Sequence, residues 1–408
     1  MVGGRWSAMG GRSWATGALY FAAVIVFSDM YLTQPILPLL SAEFGVPPAT
    51  AGLTVSAVVL LIALGSTLYG PLSDTLGRKP VMVGSCAALA LPTLLCALAA
   101  TFPSLLLFRA LQGLCIPGVT AVAVAYLGDV VPPDRLGRAV GGWIAANVAG
   151  GLTGRVASGV ITDFFGWRAA FVTFAGLTLL AAILMLVALP RDHKTAAVGW
   201  ARAYRAMFAH VGDRRLRGAF LIGGALFFGF LGLFTYLPYY LTGAPFFLSP
   251  GVVAFAYLSY LAGVIVSPIA GNLSQRAPRR LIIGLGLGIA MLGIALTLVQ
   301  AVPVIVVSLF IVCTGMFMAQ AVAPALVNAL AATAKGGAGA LYLVCYYLGG
   351  TLGGVVPGLG WQAWGWPGVV GICLAAFALA LAANLWLVRE PLATLETRSV
   401  ATNAPEEG

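Results

Sequence analysis

Residues 70–79 read GPLSDTLGRK and residues 271–280 read GNLSQRAPRR. The two decapeptides lie 201 positions apart, and each follows a long apolar run and precedes another. A second pair behaves in the same way: GGLTGRVASG at 150–159 and GGTLGGVVPG at 349–358 are offset by 199. A chain of 408 residues that repeats itself at about half its length is built from two like halves.

Around these landmarks the chain is 61% hydrophobic and 8% charged. A soluble domain carries roughly a quarter charged residues, so a water-solvated surface is excluded. Long apolar runs, rather than short alternating segments, exclude a β-barrel. Windows of about 20 apolar residues predict twelve spans: 15–40, 50–72, 80–101, 104–128, 138–162, 168–190, 217–242, 250–272, 280–301, 303–331, 338–361 and 366–388. The basic N-terminal flank resembles a signal peptide, but its apolar stretch runs on to Leu40 without a cleavage pattern, so an uncleaved first span is expected.

Residues 191–217 carry seven Lys/Arg and divide the spans into two sets of six. The expected organisation is a six-helix bundle over 1–190, a cytoplasmic loop over 191–217, a second bundle over 218–390 and a disordered tail over 391–408. With the N-terminus in the cytoplasm, 19 of the 22 Lys/Arg fall on the cytoplasmic side, the exceptions being Arg109, Arg155 and Arg168. The formal charge of +10 is therefore read as a topology signal, and no nucleic-acid partner is expected. The six cysteines lie in apolar segments without a CxxC pair, so neither disulfides nor a metal site is expected. No phosphate-binding glycine loop or other cofactor motif occurs, which predicts neither a cofactor nor an enzyme.

With Gly70, Leu72, Asp74, Gly77, Arg78 and Lys79 in place, the stretch 70–79 resembles the G-x-L-x-D-x-x-G-R-K loop signature of the major facilitator superfamily. RALQG, with Arg109, Gln112 and Gly113, resembles the fourth-helix motif of that family, and the likeness extends over residues 15–390. Within the family the chain looks closest to the proton-coupled efflux branch, whose fifth helix carries G-x-x-x-G-P-x-x-G-G. Gly150, Gly154 and Gly159 match that pattern, whereas Arg155 replaces the proline and Ser158 a glycine. The replacement removes the proline that would kink the helix.

The resemblance implies an all-α membrane protein of two parallel six-helix repeats, working by alternating access around a central site. It implies a multi-pass inner (plasma) membrane protein with cytoplasmic termini, a monomer in the lipid bilayer, whose partners are protons and a small-molecule substrate. It also implies a conformational latch at Gly70, Asp74, Gly77, Arg78 and Lys79, where Asp74 can accept charge-assisted hydrogen bonds. The glycines shared by both halves, Gly150, Gly154, Gly159, Gly349 and Gly353, are expected at close helix contacts.

Three charges fall inside spans: Asp29, Arg109 and Arg155. Charges at such depth are costly and mark function by default. At 1.5 Å per residue, Asp29 lies roughly 21 Å and Arg155 roughly 25 Å into their spans, with Arg109 roughly 8 Å from the outer end of the fourth. If they meet, one carboxylate faces two guanidiniums, and a proton or an anionic solute competes for the same pairings. Asp29 and Arg109 are thus the expected proton-coupling residues, and Arg155 and Arg109 the expected anion-binding ones. A static ion pair, or an Arg155 directed outward to the interface, is the structural alternative.

Tyr31, Gln34, Gln112, Asn147, Tyr236, Tyr239, Gln320 and Tyr346 are the neutral residues expected to complete the substrate site. Proton-coupled export of a small anionic or zwitterionic solute follows. The alternatives are uptake by proton symport, and a non-transporting sensor or lipid-handling protein of the same fold.

Overall fold

The computed structural model describes residues 9–190, 210–331 and 335–388, with side chains from residue 14 onward except at 133, 335 and 336. Most of the expected central loop (191–209) and the expected tail (391–408) lie outside the described residues. No strand occurs among the described residues. Eleven helical stretches are long and apolar enough to cross a membrane. The fifth expected span is also helical, as Pro133–Phe165, but its run of glycines together with Asn147 and Arg155 leaves it outside that apolar set.

Helix ends follow local chemistry. Thr101 opens the helix Phe102–Cys115 with a reciprocal capping box to Ser104, and Pro103 occupies its first turn. The helix Leu37–Phe44 closes on Gly45, whose φ of +62° is the left-handed conformation that glycine adopts without strain. The third and ninth spans stop at Ala97 and Leu296, short of the expected 101 and 301. In both, a tight three-residue turn (Leu98 N–H to Leu95 O, Thr297 N–H to Ile294 O) ends the helix ahead of the proline that starts the next one.

The first span is broken. The helix Met9–Tyr31 gives way to a 3-10 turn, Gln34–Ile36, before Leu37–Phe44. Pro35 sits where the next helical N–H would meet the Tyr31 carbonyl, so the ladder stops there. The fourth span is interrupted likewise at Pro117 and continues as Ala123–Val130.

Two compact units emerge. Of the described residues, one contains those up to 190, from 234 to 258 and from 354 to 365; the other contains those from 210 to 233, from 259 to 353 and from 366 to 388. In the first unit, the helix Pro133–Phe165 lies directly on Met9–Tyr31. A Cβ at Gly154 would come 2.5 Å from Ser28 Cα, and one at Gly150 would come 2.8 Å from Phe27 Cβ. Gly159 meets Pro250 and Ala254 just as closely. In the second unit, Gly349 and Gly353 face the main chain of Gly224 and Phe228 on the helix Arg214–Thr242. Each pair of contacts joins the fifth helix of a repeat to the first, so the repeated glycines make the same crossing in both units.

The repeated decapeptides also share a structural role. Lys79 Nζ donates to the carbonyl of Leu189, while Arg280 Nη2 donates to that of Leu385 at 2.6 Å. In each half a basic residue at the end of the motif thus closes the C-terminus of the sixth span, where unpaired carbonyls favour a cation.

Gly154→Leu is expected to lower stability by about 3 kcal/mol, the upper end of the overpacking range, because its Cβ would meet main chain that cannot give way. Thermal unfolding in detergent measures it, and Gly17→Leu, at a position with open space around it, is the control expected to cost little.

Candidate functional site

Arg109 is fully buried and makes four hydrogen bonds through all three of its nitrogens. Nε donates to Thr54 O at 3.0 Å, Nη1 to Asp29 O at 2.8 Å and Gln112 Oε1 at 2.6 Å, and Nη2 to Met30 O at 2.8 Å. Asp29 and Met30 sit in the last turn of the broken first helix, where carbonyls lack partners and the helix dipole favours a cation. Arg109 thus caps that break. Gln112 is committed beside it, donating to Thr93 Oγ1 at 2.7 Å.

The expected ion cluster does not form as drawn. Arg109 reaches the main chain of Asp29 rather than its carboxylate, because the open helix end offers carbonyls in the plane of the guanidinium. The Asp29 carboxylate is buried, accepts from Thr178 Oγ1 at 2.7 Å through Oδ2, and leaves Oδ1 without a hydrogen-bond partner. Among the described residues it makes no salt bridge.

Arg155 is also buried, so the outward-directed alternative does not hold. Its Nε donates to Gln34 Oε1 at 2.6 Å and its Nη1 to Gly151 O, one turn back. The guanidinium carbon lies 3.8 Å from the centre of the Tyr31 ring and 5.4 Å from that of Tyr257. These are neutral groups, two of them aromatic faces suited to a cation. The 3-10 turn sets the geometry: it places Gln34 opposite Arg155 and lets the Gln34 amide donate to Thr235 Oγ1 at 3.0 Å.

The remaining expected residues separate. Tyr236 and Tyr239 donate to main-chain carbonyls, of Gly354 at 2.7 Å and Leu37 at 3.1 Å, and so fasten helices within the first unit. Asn147, with its amide turned to pair, faces the carbonyl and indole nitrogen of Trp143 at 3.2 Å. Gln320 and Tyr346 belong to the second unit, where Gln320 Nε2 donates to the Tyr346 hydroxyl at 2.7 Å and Tyr346 stacks on Phe227 at 4.2 Å.

At the 70–79 loop, Arg78 pairs with Asp129 at 2.8 Å and with Asp74 at 3.4 Å. Asp129 was not among the expected residues, although an acid three positions before the prolines of GDVVPPDR was a visible signal. Thr178 and Tyr257 were also missed: a lone threonine or tyrosine in an apolar span carries no signal of its own.

This arrangement of a signature loop, two halves with matching crossings and buried charges in the first half agrees with the comparisons. A family model described as Major Facilitator Superfamily matches residues 19–259 and 246–405. The chain belongs to the major facilitator superfamily. It is 35% identical over 368 residues to the inner membrane transport protein YnfM of Escherichia coli (strain K12), covering 90% of this chain and 88% of that one. An uncharacterized MFS-type transporter of Bacillus subtilis (strain 168), YybF, is 30% identical over 92% of this chain and 93% of its own. Among solved structures, the nucleoside transporter NupG superposes with a TM-score of 0.79 at 14% identity, over 92% of this chain and all of the other. A D-xylose-proton symporter superposes with a TM-score of 0.74 at 17% identity, over 93% of this chain and 98% of its own. The protein is a multi-pass membrane protein and a secondary transporter.

Arg109→Ala leaves the buried carbonyls of Asp29, Met30 and Thr54 without this donor, and is expected to cost about 3–5 kcal/mol, at about 1–3 kcal/mol for each unsatisfied group. Arg109→Lys recovers less than half of this, because an ammonium cannot reproduce the planar fork. Thermal unfolding of both variants against the parent measures the two effects.

Proposed function

We propose that this transporter exports a small anionic or zwitterionic organic solute in exchange for protons, with Asp29 carrying the proton and Arg155 binding the solute anion. The observation that supports it best is the Asp29 carboxylate: buried in a membrane-spanning helix, bonded to Thr178 through one oxygen and open at the other. A buried carboxylate that only stitched helices together would have both oxygens engaged. Protonation supplies a donor at that position and removes a charge from the interior, which gives two states of one site.

Arg155 offers the complementary group. Its guanidinium is held over the Tyr31 ring and steadied by Gln34. A solute carboxylate or phosphate forms stronger, charge-assisted bonds to it than the Gln34 amide does. Gln34 is released when the anion binds, and Gln34 holds both Arg155 and Thr235. Solute occupancy is thereby tied to the broken segment of the first span, which begins five residues beyond the Asp29 main chain that Arg109 holds. Arg109 acts as a positioning residue in this scheme: it fixes the turn from which the Asp29 side chain projects.

The moving bodies in this reading are the six-helix repeats over 1–190 and 218–390, with both termini cytoplasmic. The cluster of Asp74, Arg78, Lys79 and Asp129 serves as the latch of one access state.

The test uses proteoliposomes loaded with a pH-sensitive dye and challenged with amino acids, mono- and dicarboxylates and sugar phosphates. An anionic or zwitterionic solute is expected to move protons through the parent protein. Asp29→Asn is expected to abolish gradient-driven accumulation of that solute while preserving its counterflow. Arg155→Ala is expected to raise the half-saturating concentration by about tenfold or more, the loss of one hydrogen bond to a charged group. Full gradient-driven accumulation in Asp29→Asn would refute the coupling role.

A further inference from the structure

The second unit carries an apolar groove of about 680 Å³ between the helices Arg214–Thr242, Lys335–Gly353 and Trp366–Trp386. Leu221, Phe228, Leu352 and Leu379 form its walls, Cys345 lies along it, and Arg217 stands at one end as the charged residue of the lining. Leu221, Leu348, Leu352 and Leu379 are exposed, so the groove opens on the outside of the helices.

Its dimensions match one leaflet. From Arg217 to Phe228 a helix rises about 16 Å, against about 15 Å for half the hydrocarbon core of a bilayer. A chain lying in the groove from Arg217 inward therefore ends near the midplane. The cation then stands at headgroup level.

Arg217 is exposed and makes no ion pair among the described residues. The one carboxylate nearby in sequence, Asp213, is engaged at the start of the helix, where Oδ1 accepts from the main-chain N–H of Arg215 at 2.8 Å. Arg214 and Arg215 are exposed in the same turn and add positive charge at that end. A neighbouring groove of about 660 Å³, on the other side of Trp366–Trp386, has a similar design with Arg280 at its end. There the guanidinium is committed to the Leu385 carbonyl, so only the Arg217 groove presents its cation.

We infer that the Arg217 groove is a binding site for one acyl chain of an anionic phospholipid, with the headgroup phosphate on Arg217. A polar peptide has no use for a wall of this composition, and a zwitterionic lipid gains little from the cation. An anionic headgroup gains from Arg217 and from its basic neighbours together. The site is independent of the transported solute, so it stands or falls apart from the export reading.

A fluorescent bimane attached at Cys345 reports on the groove. Cys115 is replaced by serine for this purpose, because it is the other cysteine that is not buried. The labelled protein is reconstituted into mixed phosphatidylethanolamine and phosphatidylglycerol vesicles in which one lipid or the other carries dibrominated, quenching chains. Brominated phosphatidylglycerol is expected to quench with about fivefold higher apparent affinity than brominated phosphatidylethanolamine, the gain typical of one basic residue at an anionic surface. The preference is expected to vanish in Arg217→Ala and to persist in Arg217→Lys. Equal quenching by the two lipids, or a preference that survives Arg217→Ala, overturns the proposal. So does the absence of quenching by either lipid, which means that protein covers the groove.

Discussion

The guanidinium of Arg109 lies across the open end of the first helix and donates to the carbonyls of Asp29 and Met30, to Thr54 O and to Gln112. Much of the first unit depends on this contact. Pro35 stops the helical ladder inside a membrane span, where an unpaired carbonyl has no water to turn to. A permanent cation with a planar set of donors answers that need better than any neutral residue. Once the break is held, the 3-10 turn can place Gln34 against Arg155, and the last helical turn can place the Asp29 carboxylate beside Thr178. One arginine therefore acts as a scaffold for the other two intramembrane charges without forming an ion pair to the Asp29 carboxylate.

The internal repeat shows which features are architecture and which are specialisation. Glycine crossings between the fifth and first helices occur in both halves, at Gly150 and Gly154 and again at Gly349 and Gly353. The closing cation on the sixth helix also occurs twice, as Lys79 on Leu189 and Arg280 on Leu385. Asp29, Arg109 and Arg155 have no counterparts in the second half. At the position of Arg155 the second half has Gly354, which meets Gly52 and Ser56. The same helical framework thus carries a close main-chain contact in one copy and a buried cation in the other.

Spans, their boundaries and the repeat were legible from the chain, because hydropathy and helix capping act over a few residues. Where boundaries shifted, at Ala97 and Leu296, the cause was a local turn rather than a change of architecture. The candidate site was legible only as a set of names. Asp29, Arg109, Arg155 and Gln34 were recognisable as polar residues in apolar surroundings, but their pairing was not. Simple charge matching predicts an Asp29–Arg109 ion pair, whereas the main chain outcompetes the carboxylate for the fork. Thr178 and Tyr257 gave no warning at all, since each becomes a partner only when distant helices cross.

The sequence by itself determined a two-fold repeated helical membrane transporter, because apolar length, loop charge and repeated motifs are properties of the linear chain. The tertiary structure decided that Arg109 caps a broken helix, that Asp29 keeps one oxygen open, and that Arg155 rests on Tyr31. Each of those outcomes turns on the direction of a side chain at a helix crossing. Direction is set by what the neighbouring helix offers, and no property of a single segment contains it.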